Sequence, residues 1–169
     1  MSGAETAIFE TARAGGIAGA IAKAVALFKL VPHSLVGLVL RFAVAVPFYK
    51  SGLTKWDGFL QLSDSAVYLF SEEFKLHLFG AEIAYPAPAL MAFMAGLGEV
   101  MLPVLLVFGL GTRFAALGLI AMTAVIQLTI PEAWANYHLP WAAMLLAILA
   151  HGPGKISLDH LIAKVFRTR

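Results

Sequence analysis

Along the chain, long apolar stretches alternate with short polar joins. After about thirty residues of mixed character come four apolar runs, approximately Ser34 to Gly52, Ala87 to Leu110, Thr112 to Ile130 and Trp134 to Ala150. Each is close to the roughly 20 residues that a helix needs to cross the hydrocarbon core of a bilayer. The joins before the third and fourth runs are too short for anything but tight turns, so those helices are antiparallel neighbours. The first join, from about Leu53 to Pro86, is far longer and carries Trp56, Asp57, Asp64, Glu72, Glu73 and Lys75. Within it, "LSDSAVYLFSEEFKLHLFG" has a capping Ser63 or Asp64 and helical apolar spacing at Val67, Leu69, Phe70 and Phe74, which predicts one or two short helices capping the bundle. The fold expected is an all-α integral membrane protein. It is a four-transmembrane-helix bundle with an N-terminal interfacial helix, a helical outer loop between spans 1 and 2, and a short C-terminal amphipathic helix.

The organisation follows. Residues 1–33 form an amphipathic, interfacial segment: Ile17, Ile21, Ala24, Val25 and Phe28 recur at helical spacing, with Lys23 and Lys29 toward headgroups. The bland alternative is a short helix packed on the rest of the protein. Glu5 and Glu10 precede the first base, unlike the basic start of a signal peptide, so the segment is expected to be retained. Residues 34–152 form the transmembrane unit, and residues 153–169 a basic tail in which Ser157 caps a new helix. With four spans, both termini and the second turn share one side, with Arg13, Lys23, Lys29, Arg113, Lys155, Lys164, Arg167 and Arg169; the other side has Lys50, Lys55 and Lys75. The positive-inside rule places the termini in the cytoplasm and the long loop outside, as in a multi-pass protein of a bacterial inner membrane.

Composition agrees: 60% hydrophobic and 13% charged residues, with mean hydropathy +0.85, lie well outside soluble norms. The twelve basic residues are scattered against ten acidic ones and form no patch, which argues against nucleic acid as a partner. The absence of cysteine excludes disulfides, thiolate catalysis and cysteine-ligated clusters within this chain. The five histidines show no ligand-like spacing, so no metal site is expected.

Charges inside spans are costly and commonly mark function. Arg41 lies in the first run and Glu99 in the second; counted from the span ends they fall at similar depth and are plausible partners, with Glu99 in the central to cytoplasmic half. The small residues Ala92, Ala95, Gly96 and Gly98 would let helices approach closely enough to pair them. The alternative is an interhelical staple without chemistry. Arg113 opens the third run, able to reach inward toward Glu99 or outward to lipid phosphate. A second group, Tyr49, Lys50, Lys55, Trp56, Asp57, Gln127 and His138 with Trp134, Tyr137 and Trp141, would line a polar path to the outer surface, although aromatic residues also gather at membrane interfaces for their own reasons.

Three stretches, taken in order, carry a resemblance. "FYKSGLTKWDGF" closes the first span with a Gly-x-x-Lys pattern, "GLGEVMLPVLLVFGLGTRFAALGL" combines an intramembrane Glu with a leucine-rich run and Gly-x-x-Thr-Arg, and "HGPGKISLDHL" ends the last span. Over about Val36 to Leu161 the chain resembles the DoxX family of small bacterial four-span membrane proteins. That resemblance implies a subunit supporting membrane redox chemistry, since relatives include a subunit of a thiosulfate:quinone oxidoreductase. It implies a quinone or proton route near Glu99 and Arg41, with Arg113 matching the family's Thr-Arg. Beside the bilayer, the expected partner is another protein or a second copy of this chain. The rival class is a non-catalytic anchor or maturation factor that works through the outer loop.

Overall fold

The structure is a computed structural model, and it describes residues 16–167; the expectations for Glu5, Glu10 and Arg13 fall outside them. Helix α1 spans Ile17–Phe28, α2 His33–Leu53, α4 Pro88–Phe108, α5 Thr112–Thr129, α6 Leu139–His151 and α7 Leu158–Arg167. Between α2 and α4 lie two antiparallel hairpins, β1 (Trp56–Gly58) with β2 (Gln61–Leu62) and β3 (Lys75–Leu78) with β4 (Ala81–Ala84). They flank the five-residue α3 (Asp64–Tyr68), which continues into a π turn over Leu69–Glu73. The hairpins were not expected from the sequence. In the β3–β4 hairpin every residue of Lys75–Leu78 is paired, and the short alternating run "KLHL" with Gly80 at the turn suits a strand once its Leu76 side packs beneath Phe70 and Tyr85.

Among the described residues, three helices, α2, α4 and α5, are long and apolar enough to span a membrane. The fourth apolar run is divided: a 3₁₀ turn at Pro131–Ala133 and a π turn at Trp134–His138 precede the 13-residue α6. Ser63 caps α3, its Oγ accepting from the Ala66 amide at 3.2 Å, and Ser157 caps α7 through the His160 amide at 3.2 Å. α1 leaves Ile17, Ile21 and Val25 exposed and buries Gly19.

The core runs down the axis of the four large helices, where Val44, Phe48, Leu106, Ala115, Ala116, Leu119, Leu145 and Ile148 are buried together. Glycine sets the spacing of α2 and α4. A methyl group built at Gly52 would lie 2.9 Å from the Glu99 backbone, so α2 packs there on the bare backbone of α4. Farther along the same seam Arg41 reaches the last turn of α4, donating to the carbonyls of Leu106 and Val107 at 3.3 and 3.0 Å. The seam therefore pairs Gly52 with Glu99 and Arg41 with the α4 C-terminus.

Candidate functional site

That register corrects the expected Arg41–Glu99 pair. The rise from Arg41 to Gly52 is about 16 Å at 1.5 Å per residue, so Glu99, opposite Gly52, stands far from Arg41 and toward the hairpin end, away from the α4–α5 turn. Counting depth from the span ends assumed flush helices, whereas α2 overhangs the α4–α5 turn and its first residues pack on the end of α6, Gly37 against Pro153 and His33 edge-on to His151 at 5.2 Å.

Glu99 instead meets Lys55. The Lys55 ammonium donates to Glu99 Oε2 at 2.6 Å and to Ser51 Oγ at 3.2 Å, with side-chain exposures of 13% for Lys55 and 6% for Glu99. Lys55 follows α2 by two residues and is held over Glu99 from the far side: a methyl at Gly96 would lie 2.9 Å from the Trp56 ring and 3.2 Å from Lys55 Cβ. Trp56 in turn stands edge-on to Phe93 at 5.3 Å. Gly52 and Gly96 thus make the two gaps, one for the α2 backbone and one for the segment that delivers the lysine.

Above this ion pair lies a cavity of about 650 Å³ between α2, α4, α5 and the start of α6. Its wall is mainly apolar, with Phe48, Met91, Met94, Ala95, Met122 and Trp141 prominent; the polar groups that reach it are Glu99, Lys55, Ser51, Thr129, Tyr137 and His138. Its roof is the loop between α2 and α4, where Phe70 packs at 5.3 Å on both Phe74 and Tyr85 and the Tyr85 hydroxyl meets Thr129 Oγ1 at 2.5 Å. On the wall facing Glu99, His138 is buried and its Nδ1 lies 2.6 Å from Gln127 Oε1, while Gln127 Nε2 donates to the Pro131 carbonyl at 3.1 Å. Gln127 therefore orients His138 and caps the turn into α6.

Of the residues singled out in the sequence, the structure gathers Glu99, Lys55, Tyr137, His138 and Trp141 at the cavity, with Gln127 and Trp56 behind them. Tyr49, Lys50 and Asp57 are exposed and outside it. Arg113 is exposed at the opposite end, beside Gly152. Arg41 is fully buried and serves the backbone: besides Leu106 and Val107 it donates to Gly37 and Ile156. Beside it, Asp159 accepts from the Gly111 and Thr112 amides at 2.7 and 2.9 Å and from the Thr112 hydroxyl at 2.8 Å. Burial pushes the Asp159 carboxyl up, but the bonds from Thr112 and Gly111 and the nearby Arg41 charge outweigh it and hold it below the usual carboxylate value. Sequence reasoning passed over Ser51, which stands one helical turn before Lys55, and Tyr85, and it read Phe70 and Phe74 only as the apolar side of a capping helix, since their convergence on Tyr85 needed the hairpins.

A helical membrane protein with a greasy cavity and a buried ion pair at its floor is what these residues define. The chain belongs to the DoxX family, which it matches over residues 36–132. It is also similar to an uncharacterised protein of Haemophilus influenzae, 35% identical over 143 residues that cover 78% of this chain and 86% of that protein. No solved structure gives a significant match.

Proposed function

We propose that the chain is an inner-membrane subunit supporting redox chemistry, and that its cavity holds a quinone or another small apolar substrate between the helices. The observation that supports this most is the Lys55–Glu99 pair at the floor of a cavity otherwise built of Phe, Met, Ala and Trp side chains. Burying such a pair stabilises a fold little, because desolvation offsets most of the attraction, whereas it gives an apolar ligand a hydrogen-bond donor and a proton-carrying carboxylate. His138 faces the same space from the α6 side. In this reading the protein supplies binding, orientation and a proton at Lys55 or Glu99, and electrons come from a partner subunit, since the chain has no cysteine and no described group of His, Asp and Glu arranged for a metal.

The same reading takes α6, together with the π turn that runs into it, as a fourth span, with both termini on the cytoplasmic side where basic residues concentrate. The test is extraction of the protein from its native membrane in mild detergent, with mass spectrometry of what accompanies it. A quinone retained by wild type and lost from Glu99→Gln supports the proposal; full retention and full quinone-dependent activity in Glu99→Gln would falsify it.

A second reading, a non-catalytic anchor for a partner protein, is favoured by the hairpin tips, where Phe59 and Phe79 are essentially fully exposed. It requires a stable co-purifying protein that is lost from Phe59→Ser with Phe79→Ser as well as on deletion of residues 61–75.

A further inference from the structure

The cavity is closed toward the hairpins and open toward the side. Its roof residues Phe70 and Tyr85 are only 8% and 9% exposed, and the roof is tied to α5 by the Tyr85–Thr129 hydrogen bond and by His77, whose Nδ1 lies 3.1 Å from the Leu128 carbonyl. Among the lining residues, by contrast, Met94 on α4 is 55% exposed and Val125 on α5 is 47% exposed; Tyr137, 56% exposed, marks a second exposed stretch of the lining, before α6, and is the control position in the test below. These two helices pack closely lower down, where methyls at Gly98 and Gly118 would lie 3.0 Å from Met122 Sδ and 2.9 Å from Leu102 Cδ1. Above those contacts the larger Met94 and Val125 flank a gap that leads to Glu99. Met94 lies about 9 Å along α4 from Pro88, and Val125 about 6 Å short of Thr129, at 1.5 Å per residue, so the gap sits inside the span and not at its end. The outer faces of both helices beside it, with Leu90, Met101, Leu117 and Leu128 exposed, are apolar and suited to acyl chains.

We infer that the cavity fills from within the bilayer through the α4–α5 seam between Met94 and Val125, and that its occupant is a lipid-soluble molecule with an apolar body and a hydrogen-bonding head. This rests on the reading of the cavity as a ligand site and adds the direction of entry and the ligand's phase. An occupant taken from water would have to pass the packed Phe70, Phe74 and Tyr85 roof. One taken from lipid meets methionine and valine side chains, and only at the floor does it meet charge.

The entry route is tested by carbene labelling of the full chain in phosphatidylcholine nanodiscs. The apolar probe trifluoromethyl-iodophenyl diazirine is compared with a phenyldiazirine sulfonate confined to water, and labelled residues are mapped by mass spectrometry. The apolar probe is expected to mark Phe48 and Trp141, across the cavity from the seam, and the sulfonate to leave both at background. Met94→Trp with Val125→Trp, or Val125→Phe alone if the double variant does not fold, is expected to abolish labelling at Phe48 and Trp141, while Tyr137→Trp at the α6 side leaves it intact. Labelling by the sulfonate, no labelling by either probe, or loss caused by Tyr137→Trp and not by the seam variants overturns the inference. Failure of the redox reading looks different: the apolar probe still enters through the seam, but no quinone accompanies the wild-type protein from its native membrane.

Discussion

Lys55 and Glu99, 44 positions apart in the chain, close to 2.6 Å at the floor of the cavity, the ammonium donating to Oε2. Each is the main charge the other sees in a largely desolvated setting, so removing one is worse than removing both. Lys55→Met is expected to destabilise the protein by about 3–5 kcal/mol by stranding a buried carboxylate, and Lys55→Met with Glu99→Leu to recover most of that loss. Thermal or denaturant unfolding of the two variants in one detergent checks this; a double variant no more stable than the single one would show that the pair is not the source of the effect.

Gly52 lets α2 lie on the backbone of Glu99 and against the Val100 side chain. Gly52→Ala forces these atoms apart and is expected to cost about 1–3 kcal/mol, as overpacking does. Because the displaced atoms belong to Glu99 itself, any ligand held in the cavity should be lost along with the stability. A variant with wild-type unfolding and unchanged ligand content would contradict the packing described.

Arg41 binds carbonyls at the ends of α4 and of the segment before α7 through a planar fork of donors that lysine lacks. Arg41→Lys leaves at least one buried carbonyl without a partner and is expected to cost about 1–3 kcal/mol. Since Arg41 stands away from the cavity, ligand content per folded molecule is expected to stay at the wild-type level. Loss of ligand at unchanged stability would place Arg41 in the working site after all.

Asp159 titrates below its unfolded value of about 3.9, held there by Thr112, Gly111 and Arg41 against burial. A group whose pKa is depressed in the folded state adds stability that is fully present above the unfolded pKa and is lost as pH falls through the folded one. Wild type is thus expected to lose this contribution below about pH 4. Asp159→Asn, having no such titration, should show a flatter acid limb and, at neutral pH, a cost of about 0.5–2 kcal/mol typical of a lost helix cap. Hydrogen exchange at the Gly111 and Thr112 amides reports the same bond locally.

How much of this could be read from the sequence differs between the ends of the bundle. The long helices α2, α4 and α5 follow from apolar length, and the caps at Ser63 and Ser157 follow from residue type, because both are local properties. Glu99 stood out for the same reason: a carboxylate in an apolar run is visible wherever it points. Its partner was not visible, because the relative sliding of α2 and α4 is set by where Gly52 and Gly96 permit contact, and residue counting has no access to that offset. The roof was missed on similar grounds. Phe70 and Phe74 read as one side of a helix until Tyr85, eleven residues beyond Phe74, folds back on Phe70 and makes a hairpin the better way to bury Leu76 against them.

Arg41 and Asp159 grip the α4–α5 turn from both sides, the arginine on the last carbonyls of one helix and the aspartate on the first amides of the next. During synthesis the two partners arrive far apart in time. The turn emerges with Arg41 already available, but it waits for nearly fifty more residues before Asp159 follows. Until then the amides at Gly111 and Thr112 lack their final acceptor. A nascent chain that stalls or is cut before α7 can insert its helices yet leaves this latch open, so the arrival of α7 is what closes the bundle.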